Sequence, residues 1–246
     1  MPIEIQVVAD ADALAREAAL VVTGVVAERP DAVVLAATGN TPIGCYAELA
    51  RLRATGSLDT SRMRVAQLDE YVGLAADDAR SLYGWMDRAL LAPLGIGSER
   101  VVRMPVEGND PQAAARAYDA AIEAIGGIDL AILGLGPNGH LGFNEPPASA
   151  DAPTRVISLA PETLASNARY WGDGTVPERA ITAGMSVILS ARRVMLLVSG
   201  TPKAAILDRM LRSAPDAALP ASHLRGHPDT ILIADRDARP AGSLEA

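Results

Sequence analysis

Ile128-Asp-Leu-Ala-Ile-Leu-Gly-Leu-Gly-Pro-Asn-Gly-His-Leu-Gly-Phe-Asn-Glu145 decides how the chain is read. Its apolar run, residues 130–133, has the length of a buried strand, and it passes at once into a glycine-rich turn. Gly134, Gly136, Gly139 and Gly142 are expected to let the backbone take positive φ angles and approach a ligand closely. His140 and Glu145 would then lie beyond the carboxyl end of that strand, where open α/β sheets bind their ligands.

Outward from this stretch, short β-type runs alternate with longer amphipathic segments. Strands are expected at residues 3–8, 32–36, 64–68, 100–104, 130–133, 193–199 and 230–234. Helices are expected at 11–27, from Thr41-Pro42 to about 54, and at 81–91, 111–125, 161–170 and 202–212. Continuous apolar strands alternating with helices predict an α/β fold: a Rossmann-like, doubly wound, mostly parallel sheet with helices on both faces. All 246 residues are read as a single domain, with a polar tail fraying from Asp235 onward.

Composition narrows the function classes. A formal net charge of -8 with no Lys/Arg cluster argues against nucleic acid or an anionic membrane as partner. One Phe, two Trp and five Tyr leave little for base stacking. No apolar stretch is long enough to cross a bilayer and no signal-peptide pattern opens the chain. The single cysteine, Cys45, fits a reducing compartment, so a cytoplasmic protein is expected. Association with further copies of itself is left open.

Four constellations carry chemistry. Thr38, Gly39, Asn40 and Thr41 lie between a strand and a helix N-terminus, where free backbone N–H groups and hydroxyls suit an oxyanion such as phosphate. Neither dinucleotide nor nucleotide-triphosphate glycine fingerprints are present. Asp69 and Glu70 begin where a strand should end. Their side chains should point opposite ways, leaving one carboxylate for the site and one for structure, and an unperturbed Asp is ionised at neutral pH and can act as a base. His140 can take and give a proton, with Glu145 orienting the ring and stabilising its charged form. With no second His or Cys at ligand spacing, no metal site is expected. Finally, Arg169 and Lys203 supply fixed cations. Lys203 sits in Ser199-Gly-Thr-Pro-Lys203, on the first turn of a helix, where an anion would offset its clash with the macrodipole.

Taken together, Thr38-Gly-Asn-Thr-Pro42, Leu68-Asp-Glu-Tyr-Val-Gly-Leu74, Gly139-His-Leu-Gly-Phe-Asn-Glu-Pro146, Ser166-Asn-Ala-Arg-Tyr170 and Gly200-Thr-Pro-Lys203 resemble the glucosamine-6-phosphate deaminase (isomerase) family, in family order. The resemblance implies conversion of D-glucosamine 6-phosphate and water to D-fructose 6-phosphate and ammonia, with no metal or organic cofactor. It implies that His140, partnered by Glu145 and flanked by Asn138, opens the sugar ring and that Asp69 carries a proton between C2 and C1. Thr38, Gly39, Asn40, Thr41, Arg169 and Lys203 would hold the phosphate. Asn138 stands where many members carry an aspartate; an amide can hydrogen-bond the imidazole but offers it no charge. Asn40 departs from the usual Gly or Ser. Arg155 matches a residue of a family allosteric site, whereas Ser158 falls where a lysine is expected, so activation by N-acetylglucosamine 6-phosphate is expected to be weak or absent. Residues 155–182 are expected to form a lid. The related 6-phosphogluconolactonases, which lack the Asp-Glu-Tyr-Val-Gly-Leu and Gly-His-Leu-Gly-Phe-Asn-Glu-Pro stretches, and non-catalytic phosphosugar sensors are the alternatives. The sensors would require an N-terminal DNA-binding module for which there is no room before Ala32. The C4 epimer of the substrate needs only different pocket contacts.

Overall fold

The computed structural model describes residues 3–74, 78, 80–104, 106, 110–168, 171 and 175–239. Its centre is a seven-stranded, all-parallel sheet. In chain order the strands are β1 (Glu4–Val8), β2 (Val33–Ala36), β3 (Arg64–Gln67), β5 (Val101–Val102), β6 (Leu130–Gly134), β9 (Arg193–Val198) and β10 (Thr230–Asp235). Across the sheet they run β1-β10-β9-β6-β2-β3-β5. The doubly wound α/β class read from the sequence is the class observed.

Successive strand residues feed opposite faces, which is why the central strands are apolar throughout. Val33 and Leu35 of β2, Ala131 and Leu133 of β6 and Val194 and Leu196 of β9 enter one core, beneath α4 (Pro111–Ala124), α6 (Met185–Leu189) and α7 (Ala204–Arg212). Val34 and Ala36, Leu130 and Ile132, and Met195 and Leu197 enter the other, beneath α1 (Ala11–Glu28) and α2 (Asn40–Ala54). The helices are set by their ends and their stripes. Asp10 caps α1 by accepting from the Ala13 N–H at 2.8 Å, and Leu14, Ala18, Val22 and Val26 form its buried stripe. Asp110 caps α4 ahead of Pro111, with Ala115, Tyr118 and Ile122 buried. At the amino end of the sheet, buried Asp129 accepts from the Val33 N–H at 2.8 Å and pairs with Arg29 and Arg192 at 2.9 and 3.1 Å, tying β2 to β6.

A second, three-stranded antiparallel sheet was not anticipated: β4 (Asp69–Tyr71), β8 (Arg179–Thr182) and β7 (Arg155–Ser158), in the order β4-β8-β7. Asp69 is in register with Thr182 and Arg155 with Thr182 from the other side. Between β7 and β8 lies α5 (Pro161–Asn167). Several boundaries also differ from expectation. The strand expected at 100–104 is only Val101–Val102, because a 3-10 turn over Ser98–Arg100 precedes it. The helix expected at 81–91 is α3 (Leu82–Met86) followed by a π turn over Asp87–Leu91. Helix α5 ends at Asn167, and residues 169 and 170 of the expected 161–170 helix lie outside the described residues. Of the tail expected to fray from Asp235, residues 240–246 lie outside the described residues; Asp235 itself is buried and accepts from the Gly200 and Ala238 N–H groups at 3.0 and 2.8 Å, and Ala238 is fully buried.

Candidate active site

Four neighbouring strands, β9, β6, β2 and β3, end side by side, and the loops that follow them meet above the carboxyl edge of the sheet. There they enclose a cavity of about 380 Å³. Its walls include Thr38, Gly39, Asn40 and Thr41 after β2, Asp69 after β3, His140 after β6 and Lys203 after β9. Residues up to 165 positions apart in the chain are thus brought to one place by a single rule, that parallel strands all point their carboxyl ends the same way. Arg169 lies outside the described residues.

The loop after β2 turns at Gly39, whose φ of 105° only glycine adopts without strain, and α2 starts at Asn40 rather than at Pro42. Gly39 supplies no side-chain cap, so the first N–H groups of α2 are presented toward the cavity end of the helix. Tyr46, buried one turn into α2, fixes the loop by donating to the Ala37 carbonyl at 2.7 Å. Lys203 closes a 3-10 turn, Thr201–Lys203, that precedes α7.

Asp69 and Glu70 divide as their alternation requires. Glu70 points away from the cavity and accepts from the Leu82 and Tyr83 N–H groups at 2.8 and 2.9 Å, bracing the first turn of α3, and from the Gln67 amide at 3.0 Å. Asp69 faces the cavity, is 5% exposed, and its Oδ1 has no hydrogen-bond partner among the described residues. Burial, with Glu70 next to it, raises the Asp69 carboxyl from its ordinary 3.8 to about 8. The expectation of an ordinarily ionised aspartate is therefore corrected: desolvation disfavours its charged form at neutral pH.

His140 holds its ring against Gly136, where any side chain would overlap the imidazole. Of the four glycines expected to take positive φ, Gly139 and Gly142 do; Gly134 and Gly136 do not, and Gly136 serves close packing instead. The ring Nδ1 meets Glu145 Oε2 at 3.2 Å. That same oxygen accepts from the Asn138 amide at 2.7 Å, and Asn138 Oδ1 accepts from the His140 backbone N–H at 3.2 Å. Asn138 thus grips Glu145 and not the imidazole, contrary to expectation. Burial alone would raise the Glu145 carboxyl, but hydrogen bonding to and the charge of His140, with Thr163 and Asn138, prevail and hold it at about 2. Glu145 is an anion at neutral pH, correctly placed to stabilise an imidazolium.

Several wall residues escaped the sequence reading: Tyr71, Arg80, Trp85, Thr163, Asn167 and Trp171. Asn167 donates to the Tyr71 hydroxyl at 3.0 Å, Tyr71 packs edge-on against Trp171, and Arg80 stacks on Trp171 while paired with Asp78 at 2.7 Å. Tyr71 and Asn167 lie inside stretches already singled out, so proximity to Asp69 and Arg169 was the available signal. Arg155 lies on the far side of the small sheet from these, donating to Asn144 Oδ1 at 2.8 Å.

Comparison with known proteins gives the chain a family. Residues 7–232 match the family of glucosamine-6-phosphate isomerases/6-phosphogluconolactonase. The chain belongs to this family. Among relatives of the glucosamine-6-phosphate isomerase/6-phosphogluconolactonase family, the glucosamine-6-phosphate deaminase of Geobacillus sp. (strain WCH70) is 38% identical, over 94% of this chain and 92% of its own length. That of Streptomyces coelicolor is 40% identical, over 96% and 91%. A solved structure of a monomeric glucosamine-6-phosphate deaminase superposes with a TM-score of 0.93 at 34% identity, covering 96% of this chain and 98% of the other. The 6-phosphogluconolactonase of Trypanosoma cruzi, at 20% identity and a TM-score of 0.79, shares the fold. Among the described residues, no helix is long and apolar enough to cross a membrane, and no group of three or more His, Cys, Asp or Glu could hold a metal.

Proposed function

We propose that this protein converts D-glucosamine 6-phosphate and water to D-fructose 6-phosphate and ammonia, a step of amino-sugar catabolism. The observation that carries the reading is Asp69: a buried carboxyl with a bare oxygen, in one cavity with His140 and with the N-terminus of α2. The relatives named above, at 38% and 40% identity over nearly the whole chain, support it.

The chemistry follows from the groups present. Thr38, Gly39, Asn40, Thr41 and Lys203, with Arg169, grip the phosphate, and that remote hold orients the reacting carbons. His140, its Nδ1 taken by Glu145, uses Nε2 to move a proton at the ring oxygen and open the sugar to its aldehyde. The aldehyde at C1 acidifies the C2 proton. Asp69 takes that proton and returns it to C1 through an enol-amine, leaving an iminium at C2. Water adds there and ammonia departs, so no external electron acceptor is consumed. The amino sugar brings a cation of its own, which favours the ionised form of Asp69 and offsets the burial that raises its pKa. Residues 155–182, whose helix α5 contributes Thr163 and Asn167 to the cavity wall, act as a lid on the single domain. A doubly charged sugar phosphate does not leave a cell unaided, which sets this activity in the cytoplasm.

A lactone hydrolase has no C–H proton to move, whereas transfer between C2 and C1 calls for a carboxyl shielded from water, as Asp69 is. Purified protein incubated with glucosamine 6-phosphate is expected to release ammonia and fructose 6-phosphate in equal amounts. Turnover of 6-phosphogluconolactone with none of the amino sugar would overturn the reading.

A further inference from the structure

Helix α5 reaches the catalytic pair from outside the main sheet. Its Thr163 is 2% exposed and lies with its Oγ1 3.4 Å from His140 Nδ1. The same hydroxyl is close enough to Glu145 to help lower its carboxyl. One residue before the helix, the Ala160 N–H points at Glu145 Oε1 at 3.4 Å. The Glu145 carboxylate is therefore held from two directions, by Asn138 in its own loop and by the entry to α5.

Proton bookkeeping leaves one arrangement without conflict. Glu145 is ionised and accepts only, so the nitrogen facing it at 3.2 Å must carry hydrogen. Nδ1–H then lies between Glu145 Oε2 and Thr163 Oγ1, and the Thr163 hydroxyl, having one proton, directs it to the carboxylate. The opposite tautomer would set an imidazole lone pair against a carboxylate. A hydroxyl in this place does what a methyl of equal size cannot: it gives Nδ1 and the neighbouring carboxylate a polar partner on the α5 side, leaving Nε2 for the substrate.

We propose that Thr163 is a positioning residue for the deamination reaction, its hydroxyl holding Glu145 and the His140 ring so that Nε2 is the nitrogen offered to the substrate. This rests on the function proposed above. Position 163 gave no signal of its own in the sequence, since a threonine in the first turn after Pro161 is an ordinary helix start.

Thr163→Val keeps the shape and removes the hydroxyl; Thr163→Ser keeps the hydroxyl. With glucosamine 6-phosphate, Thr163→Val is expected to lose roughly 10- to 100-fold in kcat, the cost of a small misplacement at a reacting group, with KM within about twofold. Thr163→Ser is expected to stay within about threefold of the parent in both. Long-range 1H–15N spectra of the free protein should show the neutral His140 as the Nδ1–H tautomer in all three proteins, since Glu145 still faces Nδ1, with the Nδ1–H resonance moved in Thr163→Val and not in Thr163→Ser. Parent-like kcat and an unmoved Nδ1–H resonance in Thr163→Val would overturn the proposal, as would a Thr163→Ser variant as impaired as Thr163→Val. Should the parent release no ammonia, the functional reading fails by itself, and the spectra still decide the role of Thr163.

Discussion

The proposed reaction asks Asp69 to unite two properties that oppose each other in an ordinary carboxyl: it must be basic enough to take a proton from carbon, yet it must lose its own proton near neutral pH. Burial resolves this by raising its pKa to about 8, into the range where a general base works best. The same burial is a burden on the fold. In the unfolded chain the group titrates near its ordinary 3.8, so ionising it costs folding nothing below about pH 4 and costs progressively more until about pH 8. Replacing it with a neutral amide removes that cost. Asp69→Asn is therefore expected to raise Tm, with a larger gain at pH 9 than at pH 5. Calorimetry at the two values checks this, and a gain that shrinks with pH would show that the carboxyl is not raised. Glu145 runs the other way: its partners hold it at about 2, so it stays charged through the neutral range. At this scale the sequence was legible in residue type but not in environment. It pointed to Asp69, His140 and Glu145, yet the burial that raises one carboxyl and the partners that lower the other come from residues scattered along the chain.

At the scale of elements, the informative junction is β3 to β4. Leu68 leaves the main sheet and the next three residues join the small one, so adjacent carboxylates fall on opposite sides of the chain. Glu70 braces the first turn of α3, whose N-cap is Ser81, by accepting from the Leu82 and Tyr83 N–H groups as well as from Tyr71 N–H, and this anchors the strand from which Asp69 projects. Glu70→Ala leaves those donors without an acceptor, and is expected to destabilise the protein by about 2–4 kcal/mol. A urea midpoint unchanged by the substitution would show that the brace contributes nothing. The parallel strands could be read because each is a short apolar run flanked by turn residues. β4, β7 and β8 could not: each is three or four residues long, and Asp69 pairs with a partner at 182 that no local periodicity announces. Tyr71, Thr163 and Trp171 were overlooked for the same reason, since they are brought to the cavity by this sheet and by the excursion that ends in it.

For the whole molecule, one geometric fact organises the site. A parallel sheet gathers all its carboxyl ends on one edge, and the order β9-β6-β2-β3 sets a cation, a histidine, a helix-opening turn and a carboxyl around about 380 Å³. At the opposite edge Asp129 ties strands together through Arg29, Arg192 and the Val33 N–H. Fold class and strand-end loops were readable because they depend on alternation and on glycine turns. Arrangement within the cavity was not, because it depends on the register of strands distant in sequence. In the proposed reaction the Asp69 carboxyl is the group that moves hydrogen from C2 to C1. Ammonia release from glucosamine 6-phosphate, measured for the parent and for Asp69→Asn at saturating substrate, tests this directly. Steady release is expected from the parent, with a loss in kcat of roughly 10²- to 10⁴-fold in the variant, the range for removal of a positioned base. A variant that keeps kcat within a few-fold of the parent would contradict it.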